Sequence, residues 1–142
     1  MIRIKEIRTI NRSLADTWQY VSDFAAVEEW DPGVKAASRK SGDGGLGTTY
    51  DVLATFAGRD VPLVYEVTEF DTEKRIVLNA ASARFSAVDT IEFSAVDESR
   101  TDVIYAAEFD LKAPLKYFEL VLKPLFNRLG AKAMDGMKNT LG

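Results

Sequence analysis

The side chains of this sequence that could carry chemistry are mainly tyrosines and one aspartate, because the chain has no histidine and no cysteine. Without those two residue types, thiol nucleophiles, disulfides, imidazole bases and the usual zinc sites are excluded. A metal site would have to use oxygen ligands alone, and we predict neither a metal nor a cofactor. Phenols and carboxylates remain, and these groups can hold a ligand or move a proton through hydrogen bonds.

Three tyrosines have the parity of the inward face of their predicted strands. Tyr50, Tyr65 and Tyr105 each alternate with apolar neighbours along an otherwise period-two pattern. A phenol in a protein core commonly just finds a hydrogen-bond partner, which is the simpler interpretation. Several phenols on one concave surface can also line a cavity for an apolar ligand, so both interpretations stay open.

Asp89 is the one carboxylate whose parity places it on an inward face, together with Ile91. An unpaired carboxylate there would be costly. Either Asp89 lies near the start of its strand and reaches solvent, or it is a polar anchor inside a pocket. In the second case the sequence offers Arg84 and Arg8 as partners.

The segment from Gly42 to Gly47 has the spacing G-x-G-x-x-G that is typical of dinucleotide-binding loops. That motif needs a strand before it and a helix after it, so that the helix N-terminus meets the pyrophosphate. Here the alternating residues Thr48 to Leu53 follow, which predict a strand. We therefore interpret the glycines as a hairpin turn and reject nucleotide binding.

Composition and charge narrow the class of protein. The 142 residues are 46% hydrophobic and 28% charged, and the net charge is −4. This balance is globular, and an acidic chain lacks the basic face of a nucleic-acid-binding protein. The opening residues contain no apolar segment typical of a secretory signal, and no stretch is long enough to span a membrane, so we expect a cytoplasmic protein.

Periodicity predicts the elements that must position these side chains. A strand over 2–10 precedes a short helix that Ser13 caps, and a second short helix ends at Asp31-Pro32-Gly33. From Val34 to Ala113 the period is close to two, with six strands separated by turns. From Leu115 to Leu141 apolar residues recur at three- and four-residue steps, which predicts a long amphipathic helix.

Three residues make that C-terminal helix unusual. Pro124 predicts a kink, or a fresh helix start with the proline in its first turn. Gly130 and Gly136 each cost about 1 kcal/mol relative to alanine. The glycines either allow close packing on the sheet or leave room for a ligand, and the sequence does not separate these alternatives.

Six segments of the sequence form a recognisable pattern, namely Ile10, Trp18, Val21–Phe24, Trp30–Val34, Gly45–Thr48 and Thr101–Tyr105. In these segments the sequence resembles the polyketide cyclase/dehydrase-like branch of the START/Bet v1-like (SRPBCC) superfamily. Arg100 stands where that family usually has a glycine. The resemblance implies one START/Bet v1-like domain over residues 1–142. It further implies an α+β helix-grip fold, in which a curved seven-stranded antiparallel sheet surrounds a long C-terminal helix in the order β-α-α-β6-α.

The resemblance also implies a deep hydrophobic cavity between the sheet and the helix, but no shared catalytic motif. The leading hypothesis is a carrier of a small hydrophobic or aromatic ligand of the lipid, quinone or polyketide type, acting as a monomer or homodimer. The candidate ligand-binding residues are Tyr50, Tyr65, Arg84, Asp89, Phe93, Tyr105, Phe109, Phe126 and Met134.

Two other functions stay open. The first is a polyketide aromatase or cyclase that positions its substrate with tyrosine, aspartate and arginine side chains. The second is an interaction module whose partner docks on Trp30 and the Pro32-Gly33 loop, at the expected mouth of the cavity.

Overall fold

The structure is a computed structural model that describes residues 1–142. One antiparallel sheet of seven strands, in the spatial order β1-β7-β6-β5-β4-β3-β2, forms most of the molecule. The strands are β1 (Ile2–Ile10), β2 (Val34–Ser41), β3 (Thr49–Phe56), β4 (Arg59–Asp71), β5 (Arg75–Ala81), β6 (Phe85–Asp97) and β7 (Arg100–Leu111). The helices are α1 (Leu14–Val21), α2 (Val27–Trp30) and α3 (Glu119–Leu141). The predicted curved sheet with a long C-terminal helix is confirmed.

Consecutive strands pair through short turns, and only β1 pairs out of sequence, with β7. The glycine-rich segment joins β2 to β3 as a hairpin connection, as the alternation after it predicts. Gly42 has a φ of +98° there, and a Cβ at this position would lie 2.6 Å from the Cα of Thr48. This glycine is therefore required by the turn and not by a phosphate.

The two short helices begin and end close to the predicted residues. The hydroxyl of Ser13 accepts a hydrogen bond from the backbone N–H of Asp16 at 3.2 Å, which caps α1. The second predicted helix is divided into a 3₁₀ turn over Phe24–Ala26 and α2. It ends at Asp31 because the following proline disfavours a helical conformation at that residue.

The C-terminal helix begins later than predicted. Leu115–Phe118 forms a 3₁₀ turn, and α3 proper starts at Glu119. Pro124 therefore lies inside α3, in its second turn, and the prediction of a start with the proline in the first turn is wrong. The missing N–H of Pro124 leaves the carbonyl of Leu120 without its helical partner, and this part of the helix is exposed to water.

The core lies between the concave face of the sheet and the helices, and 29 buried apolar residues form it. At the α1 end, Trp18 contacts Phe70 and Phe93 edge-on, with ring centroids 5.2 and 5.0 Å apart. None of the helices combines the length and apolar composition that a membrane span requires.

Candidate functional site

A cavity of about 90 Å³ lies between the concave face of the sheet and α3. Seventeen residues line it, of which 13 are hydrophobic. Its aromatic wall consists of Phe56, Phe85, Phe109 and Phe126, in which Phe126 lies 4.6 Å from Phe109 and 5.0 Å from Phe56 between ring centroids. The alternation of β3, β6 and β7 directs the first three rings inward, and α3 supplies the fourth.

The helix side of the cavity depends on small residues of α3. Gly130 lines the cavity, and a Cβ built on it would overlap the end of the Ile4 side chain. A Cβ on Gly136, further along the helix, would overlap the backbone carbonyl of Trp30. Close packing therefore explains both glycines, and Gly130 also borders open space.

Two phenols interrupt the apolar wall. Tyr65 and Tyr105 both line the cavity, from β4 and β7. The hydroxyl of Tyr105 donates a hydrogen bond to Oδ2 of Asp89 at 3.2 Å. Asp89 is 3% exposed, and its other oxygen, Oδ1, has no hydrogen-bond partner. The inward interpretation of Asp89 is therefore correct, and its carboxylate reaches the cavity through Tyr105.

A second carboxylate, Asp31, lies on the cavity wall with Gly33 and Val34, in the connection from α2 to β2. Its Oδ1 accepts a hydrogen bond from the backbone N–H of Gly33 at 2.8 Å. The backbone N–H of Thr55 donates to the carbonyl of Gly33, so this connection is fixed against β3. From the sequence, Asp31 was identified only as the residue that ends the second helix. Its position at the cavity depends on this long-range pairing, which local patterns do not reveal.

Burial favours the uncharged form of every acid at this site. Burial raises the pKa of Asp89 to about 7, although the hydrogen bond from Tyr105 lowers it in part. Burial likewise raises the pKa of Asp31 to about 6, against the effect of the Gly33 N–H. The pKa values of Tyr65 and Tyr105 lie well above the usual value because both phenols are buried, with Asp89 adding to the effect.

The structure brings four of the candidate ligand-binding residues to the cavity wall, namely Tyr65, Tyr105, Phe109 and Phe126. Asp89 lies directly behind Tyr105. The other four lie elsewhere: Tyr50 is buried near Phe24, Phe93 packs on Trp18, Met134 is fully buried in the core, and Arg84 is exposed in the turn between β5 and β6.

The ion pair that the sequence offered for Asp89 does not form. Arg8 instead binds Glu6 and Asp135, with distances of 3.0 and 2.9 Å from its Nη2 to the two carboxylates. Arg84 lies in a turn where its guanidinium remains in solvent. No lysine or arginine lines the cavity, and no three acidic side chains are grouped to hold a metal ion.

The expected docking site on Trp30 is also corrected. Trp30 is 4% exposed and belongs to the core, since the first turn after α2 packs against α3. The neighbouring Asp31 and Gly33 border the cavity.

A family described as polyketide cyclase/dehydrase and lipid transport matches residues 1–142, the whole chain. The chain belongs to this family. The fold is the helix-grip fold of START and Bet v1-like proteins.

Solved structures agree with the fold at low sequence identity. A protein from Thermus thermophilus has a TM-score of 0.81 and 19% identity, covering 98% of this chain and 96% of that one. A START superfamily protein from Mycobacterium smegmatis has a TM-score of 0.76 and 15% identity, covering 98% and 93%. The Zhui aromatase/cyclase from a Streptomyces species has a TM-score of 0.79 and 10% identity, covering 98% and 90%. No curated protein matches the sequence. These likenesses establish the fold of this member of the polyketide cyclase/dehydrase and lipid transport family.

Proposed function

We propose that this protein binds a small hydrophobic or aromatic molecule in the cavity under α3. The observation that carries the proposal is the aromatic wall of Phe56, Phe85, Phe109 and Phe126, interrupted by the hydroxyls of Tyr65 and Tyr105. Ligand pockets are commonly apolar with a few polar groups that fix orientation, and this wall has that composition. Membership of a family that includes lipid transport proteins supports the same function.

The size of the cavity favours a small ligand. Pockets for drug-sized molecules measure about 300 to 1,000 Å³. The cavity here is about 90 Å³, which suits a single ring or a short branched chain. A quinone tail, a lipid chain or a longer polyketide needs an outward shift of α3 or of the β3–β4 hairpin.

The charges of the wall favour a neutral or cationic ligand over an anionic one. Asp31 lies on the wall and Asp89 behind it, and no lysine or arginine faces the cavity. A ligand carboxylate would meet these acids without a counter-ion, in a region that water solvates poorly. A phenol, an alcohol or an amine can instead donate a hydrogen bond to the oxygen of Tyr65 or Tyr105.

Three single-ring probes that differ only in their polar group test this proposal: p-cresol, 4-methylbenzylamine and p-toluate. We expect p-cresol and the amine to shift backbone amide NMR signals of residues around the cavity, and p-toluate to shift few. Ala54→Leu fills the cavity from β3 and should abolish the shifts. Ala36→Leu makes the same change on exposed β2, so it should leave them intact. Equal shifts in both variants, or none with any probe, would overturn the proposal.

A second candidate function is an aromatase or cyclase, and the contact between Tyr105 and Asp89 favours it. A carboxyl with a pKa near neutrality can accept and return a proton, and Tyr105 connects it to the cavity. The Zhui aromatase/cyclase has the same fold, which supports this candidate by analogy. In such a reaction a polyketone loses a proton from carbon, closes a ring by aldol addition and then loses water.

Turnover of a short linear triketone tests the second candidate. Aldol closure and loss of one water give a dihydroxyarene, whose ultraviolet absorbance reports the reaction. Tyr105→Phe and Asp89→Asn should abolish product formation while the probes above still bind. Unchanged turnover in both variants would remove these residues from the mechanism, and no turnover by the unmodified protein would leave ligand binding as the function.

A further inference from the structure

The start of α3 exposes apolar side chains that a folded protein normally buries. Leu120 and Val121 are 88% and 75% exposed, and Tyr117 and Phe118 of the preceding 3₁₀ turn are 74% and 55% exposed. We name these residues the apolar tip. Single exposed apolar residues are ordinary, but four large ones within five successive positions indicate a candidate interaction surface.

Basic side chains surround the apolar tip. Lys112, Lys116 and Lys123 are exposed next to it in sequence, and Nζ of Lys116 lies 5.3 Å from the centre of the Tyr117 ring. Arg84 joins them, because the backbone N–H of Lys112 donates to its carbonyl at 2.9 Å. None of these four cations forms an ion pair.

The one acid within the tip is neutralised inside the chain. Glu119 forms an ion pair with the N-terminal amine of Met1. The protein as a whole carries a net charge of −4, whereas the segment 112–123 contains three lysines and one glutamate. A local excess of positive charge beside exposed apolar groups is typical of segments that lie in the interface of an anionic membrane.

The surface also adjoins the proposed ligand cavity. Leu122 follows the tip, and Phe126 of the cavity wall lies one turn later on α3. Arg84 directly precedes Phe85, whose ring centroid lies 6.1 Å from that of Phe126 on the same wall. A surface bound at the tip would therefore contact the elements that enclose the cavity.

We propose that the apolar tip and its lysines dock this protein on an anionic lipid bilayer. The apolar side chains enter the interface, and the lysines bind the lipid phosphates and carboxylates. A second copy of the chain fits less well, because a two-fold contact would bring the same lysine clusters together. Docking needs no ligand, so it stands or fails independently of the proposed cavity function.

Sedimentation with extruded vesicles tests this proposal. We expect at least tenfold more binding to phosphatidylcholine vesicles containing phosphatidylserine than to phosphatidylcholine alone, with a steep decrease as salt is added. The triple change Lys112→Glu, Lys116→Glu and Lys123→Glu should lower binding at least tenfold. The double change Leu120→Ser and Val121→Ser should also lower it severalfold at constant charge.

Matched controls change the same residue types elsewhere. Leu46→Ser alters another exposed leucine, and the triple change Lys5→Glu, Lys40→Glu and Lys74→Glu alters lysines away from the tip. These variants should retain more than half of the binding, and circular dichroism should show every variant folded. Equal binding to both vesicle types, or equal loss in the controls, would overturn the proposal. A dimer in light scattering that Leu120→Ser converts to monomer would overturn it in favour of a second copy.

Discussion

The α1 end and the α3 end of the interior are both built from aromatic rings. At the α1 end, Trp18 packs on Phe93 with centroids 5.0 Å apart. At the α3 end, Phe126 packs on Phe56 at the same distance, yet these rings border a cavity. Ring spacing therefore does not separate a core from a pocket. What differs is the opposing surface, since α1 presents a large indole, whereas α3 presents Gly130 and Ala133 beside Phe126.

The two glycines of α3 repeat this contrast within one helix. Gly136 faces the backbone of Trp30, which cannot move without disturbing α2. Gly130 faces the flexible end of Ile4 and the open cavity. The same residue type thus fixes the helix at one position and leaves room at the other.

Truncating one ring at each end should give the largest effect. Trp18→Ala removes a buried indole from the packed end and should lower the free energy of unfolding by about 4 kcal/mol. Phe109→Ala should cost about half as much, because that ring already borders open space. Urea unfolding of both variants measures the difference. Equal losses would mean that the two ends are packed alike.

Adding one methyl group to each glycine should give the next largest effect. Gly136→Ala should destabilise the protein by about 3 kcal/mol, because the methyl overlaps backbone. Gly130→Ala should stay within about 1 kcal/mol of the unmodified protein, because the gain in helix propensity offsets the shift of Ile4. Thermal unfolding compares them, and a similar loss in both variants would contradict the distinction between rigid and flexible neighbours.

The pH dependence of stability should distinguish the polar α3 end of the interior from the packed α1 end. The pKa of Asp89 rises from 3.8 to about 7 on folding, so the folded protein holds a proton that the unfolded chain releases. Stability should therefore fall as pH rises from about 4 to about 7 and change little above that range. The raised pKa of Asp31 likewise makes stability fall as pH rises, up to about pH 6.

Asp89→Asn removes the larger part of that dependence. Between about pH 5 and about pH 8, the stability of the variant relative to the unmodified protein should rise by roughly 2 to 3 kcal/mol. Urea unfolding of both proteins at the two pH values measures this change. A pH dependence that persists unchanged in the variant would show that Asp89 is not its source.

The smallest effects should come from the two phenols of the cavity. Tyr105→Phe loses the hydrogen bond to Asp89 and should cost about 1 kcal/mol. Tyr65→Phe removes a hydroxyl with no protein partner, so stability should be unchanged within error while p-cresol binding weakens. A loss for Tyr65→Phe equal to that for Tyr105→Phe would indicate a contact absent from this structure.

Local patterns were sufficient to predict most of the helices and strands, and the resemblance to the family supplied their arrangement. Alternation along the strands, turn residues between them and the cap at Ser13 each depend on neighbours in sequence. The late start of α3 was missed because Leu115 and Phe118 continue the helical spacing, although their backbone forms a 3₁₀ turn.

The cavity wall could be predicted only in part, because parity tells which face a residue is on and not what covers it. Phe93 and Phe109 are both interior aromatics, yet one packs against α1 and the other lines the cavity under α3. Met134 and Phe126 likewise share the inner face of α3, with only Phe126 on the cavity wall. Which element covers each position is a property of the tertiary fold.

The pairing of β1 with β7 has a consequence for how the chain is made. Ile2 lies opposite Phe109, and the backbone N–H of Asn11 donates to the carbonyl of Gly142. Because β1 is synthesised before β7, it has no partner until β2 to β7 have all been synthesised. Strands β2 to β6 can pair with their sequence neighbours during synthesis, whereas β1 remains unpaired until β7 is available. The charged residues of β1, among them Arg3, Lys5 and Arg8, disfavour pairing of this unpaired strand with another chain.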